Sequence, residues 1–171
     1  MRAKIRRIRA DEWPRLREMR LQALAEAPLA FGSTRSREEA FLESVWRARA
    51  ADGAAGADRV IFIAEQEEQW IGLATGLGPY SEGPQQLYPM LVGMFVVPST
   101  RQRGTGTALV QNVIRWAQDS GAIRLSLWVN SSNEAAVALY HRCGFRLTGA
   151  TRPVPHTPTA IEHEMILDLH G

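Results

Sequence analysis

The sequence predicts an α/β protein, a single domain built around a mixed sheet, and three observations carry that prediction. Strand-type and helix-type runs alternate from end to end, in the order β, two helices, a β-hairpin, a central β, α, β, α, β, β. One of these runs, "YPMLVGMFVV", is too apolar and β-branched for a surface strand and belongs at the centre of a sheet. At 171 residues the chain is long enough for one domain with a real core and short for two, so residues 1–171 read as one domain.

Each element follows from its local pattern. "AKIRRIRA" is a short, solvated first strand. Asp11 is expected to cap a helix with Pro14 in its first turn, in which Trp13, Leu16, Met19, Leu21 and Leu24 fall near helical spacing until "EAPLAFGST" ends it. A second helix is expected from Ser36 to about Ala50, with Phe41, Val45 and Trp46 on one side, followed by "ADGAAGAD" as a flexible loop. "RVIFIAEQ" and "QWIGLATGL", separated by a tight acidic turn, read as an antiparallel hairpin. "GPYSEGPQQ" is a loop, the central strand comes next, and Pro98 closes it. "TALVQNVIRWAQDSG" carries the stripe of an amphipathic helix ending at Gly121. "IRLSLWVN" is a strand, and "SNEAAVALYHRCGF" a short helix with Gly144 just past its end. "FRLTG" and "AIEHEMILDL" are closing strands around a proline-rich loop, "TRPVPHTP".

Composition excludes several function classes. A formal charge of +2 with 22% charged residues is no nucleic-acid footprint, and the basic start "RAKIRRIR" reads as a solvated strand. The single cysteine, Cys143, rules out an internal disulfide and any zinc site built on several thiolates, so no metal is expected. No apolar run reaches the ~18 residues of a membrane span, and the arginine-rich start lacks the apolar core of a secretory signal. A cytoplasmic protein without membrane contact is expected.

The stretch "VVPSTRQRGTG" places two glycines one residue apart where a strand gives way to a helix. Free N–H groups converge at a helix N-terminus, the helix dipole adds about half a positive charge, and glycine lets an anion approach the main chain. A nucleoside-triphosphate loop needs lysine and then serine or threonine after its last glycine, but Thr107 and Ala108 follow Gly106. A dinucleotide loop wants glycine or alanine where Leu109 stands, and an acidic residue after a next strand that here ends in "LWVN". Two readings stay open on these residues alone: a site for another phosphate ligand, or a turn that only connects strand to helix.

Two blocks in register resemble the GNAT N-acetyltransferase superfamily. Arg101, Gly104 and Gly106 match its pyrophosphate signature, and Asn133, Leu139, Tyr140, Gly144 and Phe145 match its downstream asparagine, small helix, Leu-Tyr and Gly-Phe pattern. The resemblance is strong from Met90 to Gly149, and it implies a mixed sheet of about seven strands flanked by about four helices. It further implies acetyl-CoA as acetyl donor. Main-chain groups of Met94, Phe95 and Val96 would pair with the pantetheine arm, and Gln102, Arg103, Gly104, Thr105, Gly106 and Thr107 would hold the pyrophosphate, with charge-assisted bonds from Arg101 and Arg103. Asn133 would contact the cofactor arm, or instead cap its helix.

The resemblance also places Tyr140 opposite the sulfur, as general acid or hydrogen-bond donor to the departing thiolate. A tyrosine near pKa 10 and a thiol near 8.5 differ by ~1.5 units, so hydrogen-bond stabilisation is the sounder description. Some relatives carry a glutamate where this chain has Trp128, which accepts no proton. Glu65, His156, Glu162 and Glu164 are the remaining candidates for a base, and none is assigned; His163 alternates with Ile161 and Met165 and reads as a packing residue. The acceptor groove in the family is shaped by the first helices and last strands, which points to Phe31, Gly32 and His156 as substrate-binding candidates. A small amine or amino-acid-like acceptor is the first expectation, a protein α-amine or lysine the second, and a non-catalytic acyl-CoA-binding regulator the alternative from another class. Pairing of family members through final strands or first helices makes a homodimer an expectation too.

Overall fold

A computed structural model describes residues 2–79 and 87–169. The loop expected at 78–86 therefore lies mostly outside the described residues. Seven strands form one sheet: β1 (Lys4–Arg7), β2 (Arg59–Gln66), β3 (Gln69–Leu77), β4 (Met90–Val96), β5 (Arg124–Asn130), β6 (Arg146–Val154) and β7 (Thr157–Asp168), in the spatial order β1-β2-β3-β4-β5-β7-β6. Only β4 and β5 run parallel, so the sheet is mixed, and β4 sits at its centre as its apolar sequence predicts. The acidic turn between β2 and β3 puts both Glu67 and Glu68 at positive φ, the geometry of a tight hairpin.

Five helices cover the two faces: α1 (Trp13–Glu26), α2 (Arg35–Glu39), α3 (Glu43–Ala55), α4 (Thr105–Asp119) and α5 (Glu134–Arg142). On one face α1 and α3 pack Leu16, Met19, Leu24, Trp46 and Ala50 against Ile61, Ile63 and Leu73 of the sheet. On the other, α4 lays Leu109, Val110, Val113 and Trp116 onto Val60, Phe62 and Leu125, and Tyr140 and Phe145 join the same core. Each large apolar side chain so buried contributes about 2 kcal/mol, and the helical stripe after the glycines is what makes that burial possible.

Four expectations are corrected. Asp11 caps nothing: residues 10–12 form a 3-10 turn, and the Glu12 carboxylate accepts the Arg9 N–H at 2.9 Å instead. The single helix from Ser36 to about Ala50 is broken between Glu39 and Glu43, which raises the count from four helices to five. The break lets Glu38 Oε1 accept a hydrogen bond from Arg49 Nη1 at 3.0 Å. Eleven residues along one helix span about 16 Å, so that contact requires the chain to fold back between them. "ADGAAGAD" is no flexible loop, because α3 runs through Ala55 and a Cβ on buried Gly53 would stand 2.6 Å from the Ile61 side chain. Glycine serves there as a close-approach residue. Finally, "TRPVPHTP" is a hairpin: β6 and β7 continue to Val154 and Thr157 around a turn at Pro155 and His156. Pro153 is compatible with this because β6 is an edge strand, where a missing N–H leaves no neighbour unpaired.

Candidate active site

The site begins with a local irregularity in β4. Thr75 pairs with Val92 and Leu73 with Phe95, so Ala74 of β3 faces two residues of β4, Gly93 and Met94. This is a β-bulge, and Gly93 at φ +61° supplies the backbone conformation it needs. Beyond it β4 parts from β5: their one paired position is Met90 with Ser126, at the start of β4, while β5 stays bonded to β7 along its whole length. Val97 donates its N–H to Ile71 O at 2.8 Å, so strand alternation turns the main-chain groups of Val96 toward the gap. A cavity of about 700 Å³ passes through the opening and reaches both faces of the sheet.

On the α4 and α5 side, Met94, Phe95, Val96, Arg101, Gln102, Gly104, Thr105, Gly106 and Thr107 all line this cavity, together with Asn133, Leu139 and Tyr140. Gln102 at φ +64° and Gly104 at φ +81° bend the loop into a concavity, and no side chain caps the first turn of α4. The two glycines answer different demands. Gly104 has open space where a Cβ would be, so its backbone angle is what calls for glycine; a Cβ on Gly106 would sit 3.2 Å from both Leu139 Cδ2 and Met94 Cε. Arg101 folds back to donate Nε to Val96 O at 2.9 Å, and Arg103 does not line the cavity.

Asn133 caps α5, its Oδ1 accepting the Ala136 N–H at 3.1 Å, while still lining the cavity. Tyr140 is buried, edge-on to Phe145 at 6.0 Å between ring centroids, and its hydroxyl has no hydrogen-bond partner among the described residues. Burial, with a smaller contribution from nearby Cys143, pushes its phenol well above the ordinary value of 10.0.

The opposite side is richer in charge than the sequence suggested. Glu38, fully buried, is bound by Arg20 through Nε and Nη2 at 3.0 and 2.9 Å and by Arg49. Burial would raise its carboxyl, but the Arg20 hydrogen bonds and the charges of both arginines hold it down at about 2. Glu162, also buried, lines the cavity and accepts from Arg152 Nε at 2.9 Å, and the Arg152 guanidinium stacks 4.1 Å over Trp128. Asn130 ties the end of β5 to the segment before α2 by donating to Leu29 O at 3.3 Å.

The candidates for a base thus separate. Glu65 is ion-paired to Arg6 at 2.8 Å, Glu164 accepts from Thr148 Oγ1 at 2.9 Å, and neither they nor His163 line the cavity. His156 bonds Phe31 O through Nε2 at 2.8 Å and Thr157 Oγ1 through Nδ1 at 3.0 Å. It pins the β6–β7 hairpin to the loop bearing Phe31 and Gly32, which do line the cavity, and so shapes that wall from behind. Only Glu162 among the four presents a carboxylate to the cavity. Arg20, Glu38, Arg49, Asn130 and Arg152 escaped the sequence reading, since only folding brings them together; the one available signal was a glutamate at helical spacing from aromatic core positions.

A family model described as "Acetyltransferase (GNAT) family" matches residues 7–145. Among curated proteins, the chain is 31% identical over 88 residues to human N-acetyltransferase 8, covering 52% of this chain and 39% of that protein. It is 38% identical over 74 residues to a ribosomal-protein alanine N-acetyltransferase of Salmonella typhimurium, 43% of this chain and 49% of the other. The chain therefore spans less than half the length of these two relatives. The fold is shared with an acetyltransferase from Salmonella typhimurium solved with its cofactor acetyl-CoA, at a TM-score of 0.73 and 19% identity over 100% of this chain and 96% of that one.

Proposed function

The chain belongs to the GNAT family of acetyltransferases, and from that premise we propose that it is an acetyl-CoA-dependent N-acetyltransferase acting on a small primary amine. The observation that carries this reading is the continuity of one cavity, from the uncapped N-terminus of α4, along the opened edge of β4, past Tyr140, to the charged pocket under α1 and α2. The residues fit the group. The concavity at Gln102 and Gly104 presents main-chain donors suited to a diphosphate, and the main chain of Val96, its carbonyl shared with Arg101, turns toward the gap where an extended amide-bearing arm can lie.

When bound, acetyl-CoA supplies the activated acetyl thioester, and the reaction exchanges a C–S bond for a C–N bond. Tyr140, which lines the cavity, keeps its proton across the physiological range and would supply an O–H donor to the departing thiolate. Glu162 is the carboxylate that takes the proton shed by the amine, directly or through a water. Free N–H groups of β4 serve where negative charge develops on oxygen. The test is free-thiol release from acetyl-CoA across a panel of amines. Turnover with at least one amine supports the assignment, whereas thermal stabilisation by acetyl-CoA with no turnover identifies a binding regulator instead.

The loop makes its own prediction. Gly104→Ala places a Cβ at φ +81°, costing about 1–2 kcal/mol in the left-handed conformation, and should raise the Kd for acetyl-CoA about tenfold by distorting the loop. Gly106→Ala asks only the mobile ends of Leu139 and Met94 to yield, so its Kd should stay within about threefold. Calorimetric titration of both variants with acetyl-CoA checks the ranking, and equal effects would remove the special role given to Gly104.

Glu162→Gln should lower kcat/KM by about 10²-fold at neutral pH, the scale of a lost acid–base group. The loss should be smaller when the amine is offered at a pH where it is already deprotonated. A pH profile identical in shape to that of the unaltered protein would remove Glu162 from the proton path.

A further inference from the structure

Arg20 reaches from α1 into the acceptor half of the cavity with one donor group unused. Nε and Nη2 bind Glu38, while Nη1 has no partner among the described residues and lies 3.6 Å from where a Cβ on Gly93 would stand, against the bulge of β4. The Phe31 ring covers the guanidinium at 4.9 Å, and the side chain keeps 18% of its exposure. Arg49 brings a second guanidinium to the same carboxylate. Two arginines against one ionised glutamate leave this cluster one net positive charge, and the exposed Glu26 and Arg37 that line the same side are opposite in sign. A half-buried excess charge with an unmet planar donor is matched by an anion, and best by an oxyanion.

The β7 side has the opposite polarity. Glu162 and Arg152 form a neutral pair, and the pair uses Oε1 of Glu162, leaving Oε2 with no partner among the described residues. The acceptor half of the cavity thus offers a donor without an acceptor on α1 and an acceptor without a donor on β7.

We propose that the acceptor is a primary amine that also carries a carboxylate, the carboxylate seated on Arg20 Nη1 and the amine turned toward Glu162. Arg49 is a positioning residue, holding the Glu38–Arg20 fork in place from behind. The proposal rests on the acetyl-transfer reading above and adds the chemical class of the acceptor. A site built to bind a charged group rejects the analogue that lacks it, because its own buried charge is then left unmet, and a discrimination of about 100-fold is expected at this partly solvated position.

The test uses the full chain and matched triplets: an amino acid, its methyl ester and its decarboxylated amine, taken across the common L-amino acids and β-alanine, beside short peptides with free N-termini. Thiol release from acetyl-CoA is measured for each, and the same compounds are titrated calorimetrically into the protein without acetyl-CoA. The expected result is at least one amino acid that binds and is acetylated, with kcat/KM about 100-fold above its ester and its amine. In Arg20→Lys, which keeps a charge for Glu38 but has no Nη1, that ratio should fall below about fivefold. Should the variant not fold, the ratio measured on the unaltered chain decides alone. Acetylation indifferent to the carboxylate, or preferred on peptides with free N-termini, overturns this inference and leaves acetyl transfer standing. No thiol release with any amine overturns both.

Discussion

Replacing Tyr140 with phenylalanine lowers kcat by about one to two orders of magnitude, the low end for a positioned proton donor, as suits a hydrogen bond to the leaving thiolate without full proton transfer, and leaves acetyl-CoA affinity within about twofold. The substitution removes one oxygen from a buried ring and keeps its edge-on contact with Phe145, so the helix still docks on the sheet. The hydroxyl has no partner among the described residues, and its removal strands no other group. Its burial also sets the pH dependence. With the folded phenol held well above its ordinary value, Tyr140 remains a donor through pH 10, and an alkaline fall in kcat near pH 10 is not expected from it. Steady-state kinetics with saturating acetyl-CoA, combined with calorimetric titration of the cofactor, separates chemistry from binding. Unaltered turnover in Tyr140→Phe would remove the residue from the reaction.

Glu38→Ala destabilises the fold by about 3–5 kcal/mol, the range for breaking a buried ion pair by removing one partner. The loss is large because Arg20 and Arg49 are then left facing each other half-buried, with no counter-charge between α1, α2 and α3. Burial, joined by the charges of Arg20 and Arg59, lowers the Arg49 guanidinium despite the opposing effect of Glu38, yet an arginine stays protonated at any pH of interest. The sign of the pH effect follows from Glu38. Its carboxyl sits at about 2 when folded against an ordinary 4.5, so its stabilisation is complete above about pH 4.5 and disappears as pH falls toward 2. A depression of that size corresponds to roughly 3 kcal/mol. Chemical denaturation measured from pH 7 down to pH 2 should show this acid loss in the unaltered protein and a flatter profile in Glu38→Gln. Parallel profiles would mean that the carboxylate is not held ionised by its neighbours.

The glycine-turn half of the cavity was legible because its pattern is local in sequence. A strand end, a glycine-bearing turn and a helix N-terminus lie within "VVPSTRQRGTG", and Tyr140 stands at a set distance along the next helix from its capping Asn133. The charged half beneath α1 and α2 was not legible. Glu38 lies in a segment that reads as an ordinary amphipathic helix, and nothing nearby announces that it pairs with Arg20, eighteen residues earlier, and Arg49, eleven later. Glu162 was visible only as one of several acidic candidates until the parting of β4 from β5 opened a cavity beside it and not beside Glu65 or Glu164.

By itself the sequence determined the strand succession, the central place of β4, the stripe that seats α4 and the turn that opens it. All of these depend on periodicity, capping and backbone freedom, which act over a few residues. Only the tertiary structure decided where α2 ends and α3 begins, that residues 51–55 are helical, that the proline-rich segment is a hairpin, and which charges line the cavity beneath α1 and α2. Those outcomes depend on pairs far apart in the chain: Gly53 against Ile61, Glu38 against two arginines, His156 against Phe31. Their energies exist only once the intervening chain has closed, and no local pattern encodes them.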